Sequence, residues 1–266
     1  MKSKYYLTEV DKNPQSIFCY HDLKGETFVE SHKHQKGQFL YSEGGVVHVK
    51  TNSRMYYLPA RHYMWIPSGT KHAIYPSSSK VIMRNLYFPI TSNSSSFYKK
   101  EGIYPINNLL LELLLFIKNW NGDITKSQKN KYAIVYAFKA LLEQSITKSL
   151  HLELPHPKDG RLINIVNYLT NQIHREHLLP KLASNFSMTD KSLYRLFKKD
   201  LGMSFIKYYT QLRIFKSLEY LMNSDYNISE IANMVGYNSL PTFSNTFCNV
   251  MGKRPSAYRK SNEIYN

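Results

Sequence analysis

Cysteine is almost missing from this 266-residue chain: Cys19 and Cys248 are the only two, far apart and in no metal-ligand or redox spacing. A disulfide scaffold is excluded, and nothing calls for an oxidising compartment. Acidic residues are also scarce, 19 against 35 Lys and Arg, which leaves a formal net charge of +16. That excess suits a polyanion such as nucleic acid and, less specifically, an acidic membrane surface. No apolar run approaches the roughly 20 residues that cross a bilayer, and Met1 to Val10 lacks the apolar core of a signal peptide. A cytoplasmic protein with no membrane partner is expected. The chain also lacks a Ser/His/Asp set, a phosphate loop or paired carboxylates at convincing spacing, so no catalytic residues and no enzyme are expected.

What is present reads as two folded domains. Hydrophobic residues make up 42% and charged residues 20% of the chain, a globular balance, and its length exceeds the commonest single-domain size. Of the 35 basic residues 20 precede Lys158, so charge alone does not single out either half. From Thr27 to Tyr87 the sequence offers short β-branched and aromatic runs: Gln38 to Tyr41, Val46 to Val49, Arg54 to Leu58, Tyr63 to Ile66 and Val81 to Phe88. Turn-formers such as Gly44-Gly45 and Pro67-Ser68-Gly69 separate them, the pattern of an antiparallel barrel or sandwich. Two helical stretches follow, Ile106 to Trp120 and Ser127 to Thr147, the first with a Leu-rich face. The expected fold class is therefore an all-β N-terminal barrel over residues 1–105 followed by helices over 106–150. A Pro/Gly-rich linker over 151–160 leads to an all-α domain over 161–266.

The all-α half contains a repeat. Leu182-Ala183 … Leu193-x-x-x-Phe197 … Gly202 corresponds to Ile231-Ala232 … Phe243-x-x-x-Phe247 … Gly252. The small Ala lets one helix lie close to the next, and the apolar pair four residues apart anchors the helix that follows, so each copy reads as a helix-turn-helix. In the first, Thr189 caps a helix that buries Leu193, Leu196 and Phe197, and Gly202 ends it. The opposite face displays Lys191, Ser192, Tyr194, Arg195 and Lys198, the side chains a major groove requires. Ser204 starts a connecting helix of about 19 residues, roughly 28 Å, close to one DNA turn of about 34 Å. Two recognition helices could thus reach successive major grooves. The second, from about Pro241 to Val250, exposes Thr242, Ser244, Asn245 and Cys248 with no arginine; Asn245 suits an adenine edge, and Asn238 or Ser239 a phosphate.

Ser229-Glu230-Ile231-Ala232 … Gly236-Tyr237 … Phe243 … Phe247 … Gly252-Lys253-Arg254-Pro255-Ser256-Ala257-Tyr258-Arg259 resembles the signature of the AraC/XylS family of bacterial transcription regulators. Leu193-x-Arg195-x-Phe197 and Gly202-Met203-Ser204-Phe205 agree with its first half. The resemblance covers residues 160–260 and implies double-stranded DNA as partner. Against the family pattern, Asn245 stands where arginine is common and Cys248 where lysine is common, which implies weaker reading at the second site.

In the first half, His32-x-His34-x-x-x-Gln38 and Pro67-x-Gly69-x-x-His72 form a second constellation. On one strand His32 and His34 would share a face, and the Pro-x-Gly turn can bring in His72. The two motifs resemble those of the cupin superfamily, whose equivalent positions often ligate a divalent metal, and cupin-like barrels commonly precede AraC-type DNA-binding domains as sensors. Gln38 stands where metal-binding cupins more often have glutamate. A pocket for a small-molecule effector is the preferred reading, with Tyr41, Tyr57, Tyr63, Trp65 and Tyr75 as aromatic walls; a divalent metal held by three imidazoles and an amide is the second.

The leading expectation is a sequence-specific, effector-responsive transcription regulator, an activator or a repressor. Homodimerisation through residues 106–147 and contact with RNA polymerase are further expectations. The rival is a cupin-type metalloenzyme with a nucleic-acid-binding tail, against which Gln38 argues.

Overall fold

The computed structural model describes residues 3–22, 28–144, 149–175 and 178–260. It divides into two compact units: residues up to Thr51 together with Tyr57–His151, and Leu152–Lys260 together with Asn52–Tyr56.

The first unit opens with a short helix, α1 (Ser3–Val10), and then is mostly strand: β1 (Ile17–Asp22), β2 (Val29–His32), β3 (Gly37–Glu43), β4 (Val46–Thr51), β5 (Arg54–Pro59), β6 (His62–Ile66), β7 (His72–Pro76), β8 (Ile82–Phe88) and β9 (Gly102–Pro105). Helix α2 (Asn108–Phe116), strand β10 (Gly122–Ile124) and helix α3 (Lys129–Gln144) complete it. One antiparallel sheet runs β10-β1-β8-β3-β6-β9; the other runs β5-β4-β7-β2, with β11 (Glu153–Pro155) added beside the start of β5. All seven residues of β3 are buried. Phe39 and Tyr41 belong to a core shared with Leu110, Leu114, Val135 and Phe138 of α2 and α3. The alternate residues Gln38, Leu40 and Ser42 face the other way. A strand covered on both sides carries no apolar alternation. That is why the periodicity picks out β3 only as a run.

Several expectations need adjusting. The stretch from Ile106 is helical only from Asn108, because the Asn107 side chain accepts the Leu110 N–H and caps the helix there. The second stretch is helical from Lys129; Thr27 and residues 145–147 lie outside the described residues. The segment read as a linker contains β11, whose Glu153, Leu154 and Pro155 pair with Tyr56, Met55 and Arg54. Buried Leu154 holds it, and Pro155 and Pro157 keep it short.

The second unit is helical: α4 (Gly160–Asn171), α5 (Leu179–Asn185), α6 (Asp190–Leu201), α7 (Phe205–Asn223), α8 (Ile228–Met234), α9 (Leu240–Met251) and α10 (Pro255–Lys260). The pairs α5–α6 and α8–α9 are the two helix-turn-helix units. Ala183 and Ala232 are buried, and each accepts a closing N–H, from Met188 at 2.9 Å and from Tyr237 at 2.8 Å. The turns pass through the left-handed region at Ser187 (φ 53°) and Gly236 (φ 82°). A side chain at Gly236 would run into Arg213 and the His174 carbonyl, so only glycine fits there. Helix α7 has 19 residues and buries Tyr208, Leu212, Phe215 and Leu218 among others, which makes it the axis of the unit.

Candidate functional site

Helix α6 owes its boundaries to its own sequence. Thr189 accepts the Ser192 N–H at 3.2 Å and donates to Ser192 Oγ at 2.9 Å; Gly202 ends the helix at φ 70°. Leu193, Leu196, Phe197 and Leu201 are buried, so the stripe opposite them must face outward. Lys191, Ser192, Tyr194, Arg195 and Lys198 are all exposed. Ser192, Tyr194, Arg195 and Lys198 line an open groove of about 660 Å³ with Arg161, Met188, Leu196 and Lys199. Lys191 stands on the same face outside that lining. Arg161 and Lys199 were not anticipated. Arg161 comes from α4, where it forms a 2.7 Å ion pair with the cap Asp159, and only the fold brings it beside α6.

Helix α9 repeats this design with fewer charges. Ser239 caps it, accepting from Thr242 Oγ1 at 3.1 Å, and Gly252 ends it at φ 75°. Asn238, Ser239, Thr242 and Asn245 are exposed and Ser244 is half-buried. Asn245 Oδ1 is already engaged: it accepts from Arg254 Nη1 at 2.9 Å. Arg254 lies beyond the helix, past the Gly252 that ends it.

In the barrel, the four residues singled out do converge, although not as one strand would place them. Strand β2 ends at His32, which sits opposite His72 in β7, and the register shifts between Val29 and His32. His34 follows in an irregular turn, held where its carbonyl accepts the Gly69 N–H at 2.8 Å. The rings of His32 and His72 are 4.3 Å apart, and those of His34 and His72 5.1 Å. One nitrogen from each of the three lies within 4.8 Å of the others. The expected aromatic walls are corrected: Tyr41, Tyr63 and Trp65 face the core under α2 and α3, because they alternate with the residues facing the barrel interior. Tyr57 packs on His48 and Tyr75 on Phe28, whereas Tyr87, not anticipated, packs edge-on against His34.

Hydrogen bonds fix what this cluster offers. Nδ1 of His32, His34 and His72 faces the carbonyl oxygen of Glu30 (2.8 Å), Lys36 (2.6 Å) and Thr70 (2.8 Å). A carbonyl only accepts, so each Nδ1 carries the proton and each neutral ring presents a bare Nε2 inward. Burial, followed by the neighbouring imidazoles, pushes His72 down to about 3; burial also lowers His32 and His34. Gln38 donates through Nε2 to Asn85 Oδ1 at 2.8 Å, which turns its Oε1 toward Nε2 of His34 (3.1 Å) and of His72 (3.0 Å). Four lone pairs meet with no hydrogen between them, an arrangement that accepts a cation or a donor from a ligand. Three nitrogens each about 2.1 Å from one ion lie at most about 3.6 Å apart, so the rings would have to close by about 1 Å around an ion. The donors, three imidazoles and an amide, fit a borderline divalent cation. The same atom positions admit a metal-free pattern: with both amides turned over, the Gln38 NH2 donates to His34 and His72 and its oxygen accepts from Asn85.

Among the described residues, no helix is long and apolar enough to cross a membrane. A helix-turn-helix domain model matches residues 182–261, and an AraC-like ligand-binding domain model matches residues 14–92. The chain is 32% identical to the Msm operon regulatory protein of Streptococcus mutans, over 77% of this chain and 68% of that protein. It is 25% identical to the HTH-type transcriptional regulator NimR of Escherichia coli, over 91% of this chain and 86% of that protein. With the HTH-type transcriptional activator RhaS of Yersinia pestis it shares 23% identity over 87% and 89% of the two lengths.

Proposed function

The chain belongs to the AraC/XylS family of transcription regulators, and from that premise we propose that it reads two adjacent DNA elements with α6 and α9 under control of an effector bound in its barrel. The observation that carries the DNA reading is the outward face of α6, where Arg195, Lys198 and Tyr194 border a basic groove while Leu193 and Phe197 hold the helix down. Arg195 reads a base edge, bidentate to guanine O6 and N7. Lys191 and Lys198 meet phosphates, and Thr189 and Ser192 hold the start of the helix against the backbone. At the second element Asn238, Ser239, Thr242, Ser244 and Asn245 make the weaker set.

Residues 1–105 with the helices of 106–150 are the sensing part, and 161–266 the DNA-binding part. In the barrel, His32, His34, His72 and Gln38 recognise the effector through a group that donates hydrogen bonds, or hold a divalent cation that takes that place. For the effector to control transcription it must bind one arrangement of the protein better than another. Exposed Leu109 (56%) and Phe116 (63%) of α2 and Tyr136 (57%) of α3 support homodimerisation through those helices. RNA polymerase is the expected partner where the outcome is activation.

The test is binding selection from random duplex DNA by the full chain, repeated with Arg195→Ala. Enrichment of two elements about one turn apart, with preference relaxed at the first in the variant, is the expected result. Equal losses on selected and random DNA would remove the base-reading role of Arg195.

A further inference from the structure

The second helices of the two helix-turn-helix units are offset by 50 residues: Thr189 corresponds to Ser239, Leu193 to Phe243, Phe197 to Phe247 and Gly202 to Gly252. By the same offset Arg195 corresponds to Asn245, and the second unit loses its arginine. Ser204 corresponds to Arg254. Ser204 caps α7 by accepting the Lys207 N–H at 3.3 Å. A guanidinium has no acceptor, so the position gives up that role in the second unit, where Pro255 begins α10. Instead the Arg254 side chain turns back to α9 and donates through Nη1 to Asn245 Oδ1 at 2.9 Å. Both residues are exposed.

We infer that Arg254 replaces the missing arginine of the second reading helix, contacting a guanine edge from outside that helix, with Asn245 as its positioning residue. A guanidinium has five N–H donors in a rigid plane, and the hydrogen bond to Asn245 Oδ1 uses one of them. Fixing one edge leaves the remaining donors on a defined fork, the geometry that guanine O6 and N7 require. Asn245 without Arg254 would offer an adenine-type amide; bonded to it, Asn245 steers a guanine-type donor, so the identity of the preferred base changes with that bond. Among the described residues Arg254 forms no ion pair, so its charge is available to DNA.

This inference rests on the two-element reading above, and the experiment separates the two. The full chain, Arg254→Ala, Arg254→Lys and Asn245→Ala are each taken through selection from random duplexes, then titrated on the site the unaltered chain selects and on random duplex. The expected result is a G·C preference in the second element that Arg254→Ala abolishes. Binding to the selected site should weaken by about tenfold to hundredfold while random duplex is bound nearly as before. Arg254→Lys should not restore the preference, since an ammonium cannot fork, and Asn245→Ala should relax the same base pair with a smaller loss. Retained preference at the first element in every variant shows that the unit is folded. An unchanged second element in Arg254→Ala overturns the inference. So does equal weakening on selected and random DNA, which marks a phosphate contact. If the unaltered chain selects no second element, the two-element reading fails first, before any variant is compared.

Discussion

Acid should loosen the barrel unit by a predictable amount through His21. This imidazole in β1 is buried, donates through Nε2 to the Ile117 carbonyl at 3.2 Å, and is pushed down to about 4 by burial first and by the nearby Arg84 guanidinium second. Its ordinary value is 6.5. The unfolded chain therefore takes up the proton more readily, and stability present above about pH 6.5 is lost as pH falls toward about 4. At about 1.36 kcal/mol per unit over the roughly 1.5 units down to pH 5, His21 alone removes about 2 kcal/mol. His72, shifted in the same direction, removes a similar amount. Both tryptophans, Trp65 and Trp120, lie in the barrel unit, so urea unfolding followed by tryptophan fluorescence reports on that unit. The assay compares pH 7 and pH 5, with chelator present, for the natural chain and for His21→Gln, whose amide can still donate to Ile117. The natural chain should lose about 2 kcal/mol more than the variant. Equal losses in the two proteins would refute the assignment of the acid sensitivity to a buried neutral His21.

Lys198→Ala should weaken selected and random DNA alike and reduce the slope of log affinity against log salt by about one, measured by titration across a salt series. Zinc at about one hundred times its dissociation constant should stabilise the barrel by about 2.7 kcal/mol if the imidazole cluster holds a metal. His72→Ala should abolish that gain, and a melting temperature untouched by zinc would leave the cluster as a lining for an effector's donor groups. Phe116→Ser with Leu109→Ser should lower the apparent mass in sedimentation from dimer toward monomer without altering near-ultraviolet dichroism. A natural chain that already sediments as a monomer refutes that interface.

The helical half was the more readable because its information is local. Caps at Thr189 and Ser204, glycines at 202 and 252, and apolar pairs four residues apart each act within one turn of their own helix. Barrel strands depend on distant partners. Strand β10 is three residues long and exists because Ile17, Phe18 and Cys19 pair with it across a hundred residues of chain. Strand β6 is buried on both faces and so shows no alternation. The His/Gln cluster was legible as a set of residue types and wrong in one detail, since His34 reaches the site from a turn and not from a strand. Asn85, which orients Gln38, carries no signal of its own in the sequence. Arg254 was hidden for a different reason. It stands inside the quoted signature, but its role shows only in the 50-residue offset, which sets it against Ser204.

If α6 and α9 read adjacent elements as proposed, the 19-residue α7, buried along much of its length between them, constrains the genome as well as the protein. Each base pair inserted between two half-sites moves the second by about 3.4 Å and turns it by about 35° around the duplex. A stiff helix with Tyr208, Leu212, Phe215 and Leu218 locked in the core cannot follow such a screw motion. On the proposed two-element reading, promoters served by this protein would be held to one spacing. A single-nucleotide insertion or deletion there should silence a site as thoroughly as a change in the bases that are read.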